Sequence, residues 1–564
     1  MYIIEHTYQS LLADVSRLSG VPSIGRSAFD GLEWCIVDAP KLEKELLAYI
    51  ENQSDFSSLW PRWLLPLRDK FIETKSPYVL KLLRQLLLFC YKATHKHEKA
   101  IVKKFTSSWV RTQAEVSLWS PDRMSGFSRD VLRRARSHCT ATLGHVRWDD
   151  IVPFHGPGAS YNLSRDKGTW ENWFAPIDSV FAYHKYFYLT RGDHWMSNPL
   201  GASQVRDEIH AKLIAVPKDA RGPRLICVHP FESVWIQEGV RDALEASINR
   251  VNVHPWRWPR GQIHFDDQTY NGQLALEASK DRNYATLDLK EASDRLSDDL
   301  VQYLFGSHYR WFGCCRAQKV DIPSLNVTVP VNCYAPMGNA TTFPVQSLVF
   351  WAVCVSTLEL VGCTDHLLVF GDDIIVPTRH ALLIMRVLEE FGLRVNQTKS
   401  FFRGAFRESC GVDAFDGVDV TPVRWKTDYD PSSPAGLMAA SSIAMKLRKS
   451  GYHESSIELY SWIQGVLKKR YGLKLPITNN EDHGGICEFS ESLSAVWSNA
   501  YWHRQYQRYV TPCIRLRERK SAFRHGWHHV LESLTSLQRT GRSNDPASMP
   551  SRHTLLNRGW TDLL

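Results

Sequence analysis

Three aspartates, Asp288, Asp372 and Asp373, are the residues of this chain best placed to do chemistry. The stretch LLVFGDDIIVP (367–377) sets Gly371-Asp372-Asp373 between two short apolar runs. Glycine supplies positive φ and Asp tolerates turn geometry, so the pattern predicts a β-hairpin with two adjacent carboxylates at its turn. Taken alone, the tripeptide reads more readily as a solvent-exposed turn, which is a common feature. A second segment, YATLDLKEASDRLS (284–297), changes the balance. It starts as a strand that ends at Asp288, and helix-compatible residues including Ser293 and Asp294 follow. A carboxylate at the carboxyl end of a buried strand is where α/β proteins place ligand chemistry. Burying like charges side by side is costly unless cations neutralise them. The three aspartates are therefore expected to converge on two divalent cations about 3.5–4 Å apart, the arrangement used for in-line phosphoryl transfer. An all-oxygen ligand set favours Mg2+ or Mn2+ over zinc. One ion then activates a ribose 3′-hydroxyl, and the other holds a triphosphate and the leaving pyrophosphate.

Other segments offer groups for the same chemistry. KLIAVPKDARGPRLICVHP (212–230) places Lys212, Lys218, Arg221 and Arg224 around a Gly-Pro turn between apolar strands. Basic side chains on an ordered hairpin suit a triphosphate; a solvated charged turn explains the same pattern. MGNATTFPVQSLVFWAV (337–353) reads as a small-residue loop followed by a buried helix. Gly338 and Asn339 let a backbone approach closely and offer short polar groups to a nucleotide, and a helix N-terminus accounts for them equally well. RHALLIMRVLEEFGLRVNQTKS (379–400) predicts an amphipathic helix ending at Gly392, then a strand and a turn carrying Lys399.

The elements that must position these groups are mixed. Residues 1–120 read as mostly helical, 121–285 are richer in Gly, Pro and aromatics, and 286–425 alternate strand and helix patterns, which points to an α/β or α+β unit. After the turn-rich YDPSSPAG (429–436) the chain reads as helical to its end. At 564 residues, with 43% hydrophobic and 23% charged side chains, bulk disorder is excluded. The net charge of +8 is uneven. Residues 1–150 carry net +5, 151–500 net −4, and 501–564 net +7, as if basic ends gripped a polyanion around an acidic centre. Within the basic end, WSNAYWHRQYQRYV (497–510) interleaves aromatics with Arg504 and Arg508, which suits single-stranded RNA or an amphipathic helix packed inward. The 12 cysteines form no zinc spacing and no disulfide framework. The first ten residues have no basic region ahead of an apolar core, so no secretory signal is expected. The longest apolar run, LVFWAVCV (348–355), is too short to span a bilayer, so it reads as protein core and no membrane association is expected.

The order of these segments resembles the right-handed RNA-dependent RNA polymerases, and most closely the replicase catalytic subunit of positive-strand RNA bacteriophages of the Qβ and MS2 group. The resemblance rests on VPKDARGPRLICVHP, IHFDDQTYNGQLA (263–275), ATLDLKEASDRLS, MGNATTFPVQS, FGDDII and FRESCG, with GPGAS in support, and covers about residues 155–425. It implies an α+β fold of palm, fingers and thumb, with an antiparallel palm sheet carrying the Gly-Asp-Asp hairpin. The fingers would fall in 121–285, the palm in 286–425 and the thumb with a basic C-terminal region in 426–564, and 1–120 would join fingers and thumb. It implies that Asp288 and Asp372 bind both Mg2+ ions, with Asp373 as a further ligand or tuner. Arg224 and Lys218 would meet the incoming NTP triphosphate, and Lys399 would protonate the leaving pyrophosphate. Asp294 is the candidate for sensing the ribose 2′-hydroxyl, with Ser293, Asn339 or Gln346 as participants. Many eukaryotic-virus polymerases have Asn where this chain has Gln346, so this network departs from theirs. The resemblance further implies a single-stranded RNA template, the cytoplasm of an infected bacterium, and assembly with host elongation factors Tu and Ts and, in some members, a ribosomal protein.

Two rival readings are weighed on particular residues. A reverse transcriptase also fits Phe370-Gly371-Asp372-Asp373, but it needs a bulky side chain against the ribose, and Ala292 and Ser293 are small. A non-catalytic RNA-binding protein that keeps the fold would be expected to lose a metal carboxylate, and all three are present.

Overall fold

The computed structural model describes residues 2–22, 24, 31–56, 59–93, 98–148, 151–154, 160, 174–176, 204–206, 208–219, 222–253, 262–265, 267–426, 430–481, 484–505, 507–518 and 554–562. The GPGAS residues 156–159, the hairpin tip with Arg221, and Tyr506 lie outside the described residues.

A four-stranded sheet carries the aspartates. Its order is Gln262–Ile263, Leu368–Phe370, Asp373–Pro377 and Tyr284–Leu287. Leu368–Phe370 and Asp373–Pro377 form the expected hairpin, with Phe370 opposite Asp373 and only Gly371 and Asp372 in the turn. Gly371 takes φ +64° there, and a Cβ on it would lie 2.5 Å from the Phe343 ring. The sheet is not purely antiparallel, because Gln262–Ile263 pairs parallel to Leu368–Phe370. That edge strand reaches the sheet from about a hundred residues away, so no tight turn imposes an antiparallel direction.

Behind the sheet lies the helix Thr342–Leu360. Its composition is apolar on every side, which is the pattern of a helix surrounded by protein. It is long and apolar enough to cross a membrane, yet 83% of that stretch is buried inside the protein. Leu348, Phe350, Val353 and Leu358 are at most 1% exposed and share one core with Val369, Ile374 and Leu287.

A second sheet runs Gly222–Val228, His210–Asp219, Lys319–Ile322 and Val327–Pro330. Its first two strands are the expected basic hairpin, with Val216 opposite Arg224 and an irregularity between Val216 and Asp219. The loop before the long helix docks on this hairpin, where the Cys227 N–H donates to the Met337 carbonyl at 2.8 Å.

The N-terminal residues are helical, as expected, and they close onto the C-terminal half. Tyr2–Ser19 packs on His453–Val466, whose first turn is capped by Asp14: the Glu454 and Ser455 N–H groups donate to its carboxylate at 3.1 and 2.9 Å. Glu51 accepts from the N–H groups of Phe402, Arg403 and Gly404. One apolar core therefore joins Leu11 and Leu83 to Phe406, Trp425 and Leu459.

The C-terminal expectation needs correction. Helices Pro434–Lys449 and His453–Val466 are present, but the chain does not stay helical. Tyr501–His503, Arg508–Glu518 and Thr554–Asp562 form a three-stranded antiparallel sheet. Pro512 and the β-branched Val510, Thr511 and Ile514 explain the change, since Pro inside a helix removes a hydrogen bond and clashes with the preceding turn.

Candidate active site

Strand ends, the basic hairpin and one N-terminal helix enclose a cavity of about 640 Å3. Among its walls are Asp288, Asp372, Ser293, Asp294, Lys218, Arg224 and Lys399, so these residues singled out from sequence meet in one place.

Asp288 leaves the strand Tyr284–Leu287 next to the hairpin, where Leu287 lies opposite Ile374. Its backbone is pinned on both sides: its N–H donates to Ser400 Oγ at 3.2 Å, and its carbonyl accepts from the Asn396 N–H at 2.8 Å. Asn396 Nδ2 also donates to its carboxylate at 2.6 Å. Burial holds the Asp288 carboxyl above the usual range, Lys399 and Asn396 oppose that, and the neighbouring Asp372 and Glu408 add to it. Asp372, one residue into the turn, shares the cavity with Asp288.

Asp373 is not among the residues that line the cavity. Its Oδ2 accepts from the Cys410 N–H at 3.2 Å. Burial first, and then Asp372, push its carboxyl up to about 7. Among the described residues no three His, Cys, Asp or Glu side chains form a group that could by itself hold a metal ion. The donor set still fits a hard cation. Mg2+ is commonly held by one or two carboxylates with substrate phosphates completing its shell, and Asp288 and Asp372 supply two in a cavity with basic walls. The repulsion among these carboxyls is what a bound cation would relieve.

Lys399 lines the cavity and pairs with Glu408 at 3.6 Å. Lys218 and Arg224 stand exposed on the hairpin and face the same space. Ser293 is buried, and Asp294 is raised to about 7, burial being the largest cause. Gln346 also lines the cavity, and its Oε1 is buried without a hydrogen bond.

Two expectations shift meaning. Gly338 does not line the cavity. It takes φ +114°, and a Cβ there would sit 2.1 Å from the Cys227 carbonyl oxygen, so backbone packing by itself requires glycine. Asn339 is buried, and its Oδ1 accepts from Thr341 N–H and Oγ1 at 2.9 and 2.8 Å. That is local turn chemistry ahead of the long helix.

Arg504 and Arg508 are exposed and lie outside the cavity lining. Near them Trp502 and Trp497 each lie 5.1 Å from Tyr509, all three about half exposed.

Sequence reasoning missed Asn396 and Trp109. Asn396 had a faint signal, since it sits three residues before Lys399 next to a predicted strand. Trp109, which donates to Asp294 at 3.0 Å from 185 residues away, had none.

Comparison with known proteins gives this site its class. The family model for the RNA replicase beta-chain matches residues 129–439, more than half of the chain and every cavity residue singled out from sequence. The chain belongs to that family. It is 33% identical over 332 residues to the RNA-directed RNA polymerase beta chain of Enterobacteria phage fr, covering 56% of this chain and 54% of that one. It is 36% identical over 303 residues to the RNA-directed RNA polymerase subunit beta of Enterobacteria phage SP, covering 52% and 50%. The chain thus matches about half the length of these curated relatives. A solved structure described as RNA-dependent RNA polymerase, vp4 and dsRNA superposes with TM-score 0.46 at 11% identity, covering 75% of this chain and 40% of that one.

Proposed function

We propose that this chain is an RNA-directed RNA polymerase that copies a single-stranded positive-sense RNA phage genome from NTPs. One observation carries the reading: in a replicase beta-chain family member, Asp288 and Asp372 share one cavity with Lys218 and Arg224.

Asp288 and Asp372 would hold two Mg2+ ions, or Mn2+ in their place, which supply charge neutralisation and an acidified 3′-hydroxyl when bound. Asp373, half-buried beside Asp372, tunes their charge. Lys218 and Arg224 orient the triphosphate by charge-assisted hydrogen bonds. Lys399, on the cavity wall and paired with Glu408, would deliver a proton to the leaving pyrophosphate. Asp294, with Ser293 and Gln346, meets the ribose 2′-hydroxyl. The small Ala292 and Ser293 leave room for that hydroxyl, which favours RNA over DNA synthesis.

In this reading residues 121–285 are fingers, 286–425 the palm and 426–564 the thumb, and 1–120 tie fingers to thumb. The protein works in the cytoplasm of an infected bacterium, assembled with host elongation factors Tu and Ts and, in some settings, a ribosomal protein. The test is incorporation of NTPs against dNTPs on a C-rich RNA template, by the chain with and without these factors. Mg2+-dependent NTP incorporation is expected. A dNTP preference would reassign it as a reverse transcriptase, and template binding with no incorporation under any condition would leave an RNA-binding protein.

A further inference from the structure

The ribose side of the cavity is built by a helix far away in sequence. Lys99–Val116 lies along the turn that carries Glu291, Ser293 and Asp294. Thr112 Oγ1 donates to Glu291 at 3.1 Å, and Arg295 pairs with Glu115 at 2.8 Å. Gln113 Oε1 accepts from the N–H groups of Asn332 and Cys333 at 2.9 and 3.1 Å. Gln113 Nε2 also donates to the Asp294 carbonyl at 3.5 Å, so the helix holds this turn by its backbone and by flanking side chains without these contacts touching the Asp294 carboxyl.

Trp109 does touch it. Its Nε1–H donates to Asp294 Oδ1 at 3.0 Å, the only hydrogen bond to that carboxyl among the described residues. The ring is 4% exposed and belongs to the apolar cluster beneath the basic hairpin, with Leu213, Cys227 and Val320. One side chain therefore connects the hairpin that carries Lys218 and Arg224 to Asp294. A simple need to satisfy the indole does not explain the pairing. Trp60, Trp119 and Trp351 keep buried indole N–H groups without any hydrogen bond, so this fold tolerates such groups unpaired.

We propose that Trp109 is a positioning residue for sugar selection: by holding one oxygen of Asp294, it leaves the other facing the nucleotide ribose and sets the preference for ribonucleotides over 2′-deoxyribonucleotides. The inference rests on the reading of Asp294 as the ribose-sensing group. A hydrogen bond to a carboxylate fixes its orientation, and an interaction made only with the 2′-hydroxyl alters discrimination rather than general turnover.

The experiment measures kcat/KM for CTP and dCTP on an RNA template, using the full chain in its most active assembly. It compares the parent, Trp109→Phe, Asp294→Asn and the double variant. Phenylalanine keeps the apolar packing and deletes the donor. Trp109→Phe is expected to lower the CTP-to-dCTP ratio by about tenfold by weakening CTP use while dCTP use holds. Asp294→Asn is expected to lower it at least as far, and the double variant no further, because both act on one carboxyl. Parallel loss of CTP and dCTP use in Trp109→Phe, or an unchanged ratio there with a lowered ratio in Asp294→Asn, overturns the role of Trp109 alone. An unchanged ratio in Asp294→Asn removes the ribose reading itself. If Phe unfolds the chain by thermal melting, Trp109→Leu, which also lacks a donor, is read by the same criteria.

Discussion

Replacing Asn396 by Ala isolates the support of one carboxylate from the carboxylate itself. Asn396 Nδ2 donates to Asp288 at 2.6 Å, and its backbone N–H separately donates to the Asp288 carbonyl at 2.8 Å. Alanine deletes the first bond and keeps the second, so the strand pairing of Arg394–Val395 with Leu289–Lys290 survives. A hydrogen bond to a charged group contributes about 1.5–3 kcal/mol. If that orientation is needed in the transition state, kcat/KM for nucleotide incorporation falls about ten- to hundredfold. The change also has a sign in pH. Burial holds the Asp288 carboxyl above the usual range and the Asn396 bond pulls it down, so alanine raises it further. The acid limb of the pH–rate profile should move to higher pH, and more Mg2+ should be needed for half-maximal rate. The assay is single-nucleotide incorporation across pH and Mg2+ concentration. A variant with the parental rate, acid limb and Mg2+ requirement would refute the idea that Asn396 orients Asp288 for catalysis.

Further tests address stability and RNA contact. His229 is buried, burial holds it down to about 4, and neither ring nitrogen has a hydrogen bond. Its folded-state pKa lies below the unfolded value near 6.5, so stability is full above that value and is lost as pH falls towards about 4; at about pH 5 the loss is about 2 kcal/mol. His229→Leu should therefore melt with less acid sensitivity than the parent between neutral pH and about pH 5, and equal sensitivity would show that the site is hydrated or paired. Gly338→Ala, with a Cβ 2.1 Å from the Cys227 carbonyl, should cost more than about 2 kcal/mol in urea unfolding, and a parental midpoint would contradict the packing account. Replacing Arg504 and Arg508 by Ala should reduce the salt slope of single-stranded RNA binding by about 1.4 if both meet phosphates, and an unchanged slope would assign this hairpin to a structural role.

The parts of the site legible in sequence were those written in local rules. A glycine and an aspartate between two apolar runs specify a tight hairpin, and a strand ending at Asp288 can pair beside it. The structure brings Asp288 and Asp372 into one cavity with Lys218, Arg224 and Lys399. The apolar helix after the small-residue loop was also legible, because a stretch apolar on all sides has few places to go in a folded chain. Gly338 and Asn339 stayed ambiguous in the sequence, because a residue for backbone packing or turn capping and one for a ligand leave the same letter, and the structure shows the packing and turn contacts. The C-terminal sheet was missed because arginine and aromatic spacing suits helix and hairpin alike, and Pro512 was the cue that should have decided it. Trp109 was out of reach, since its partner lies 185 residues on and the pairing exists only once the hairpin sheet is built.

The central claim is that Asp372 is a metal-binding catalytic carboxylate rather than a turn residue. Asp372→Asn keeps the size and the hairpin geometry and removes one charge. Nucleotide incorporation and template affinity should be measured on the same preparation at saturating Mg2+. The account predicts loss of incorporation by several orders of magnitude with template affinity nearly unchanged. Substantial residual synthesis by Asp372→Asn would contradict it.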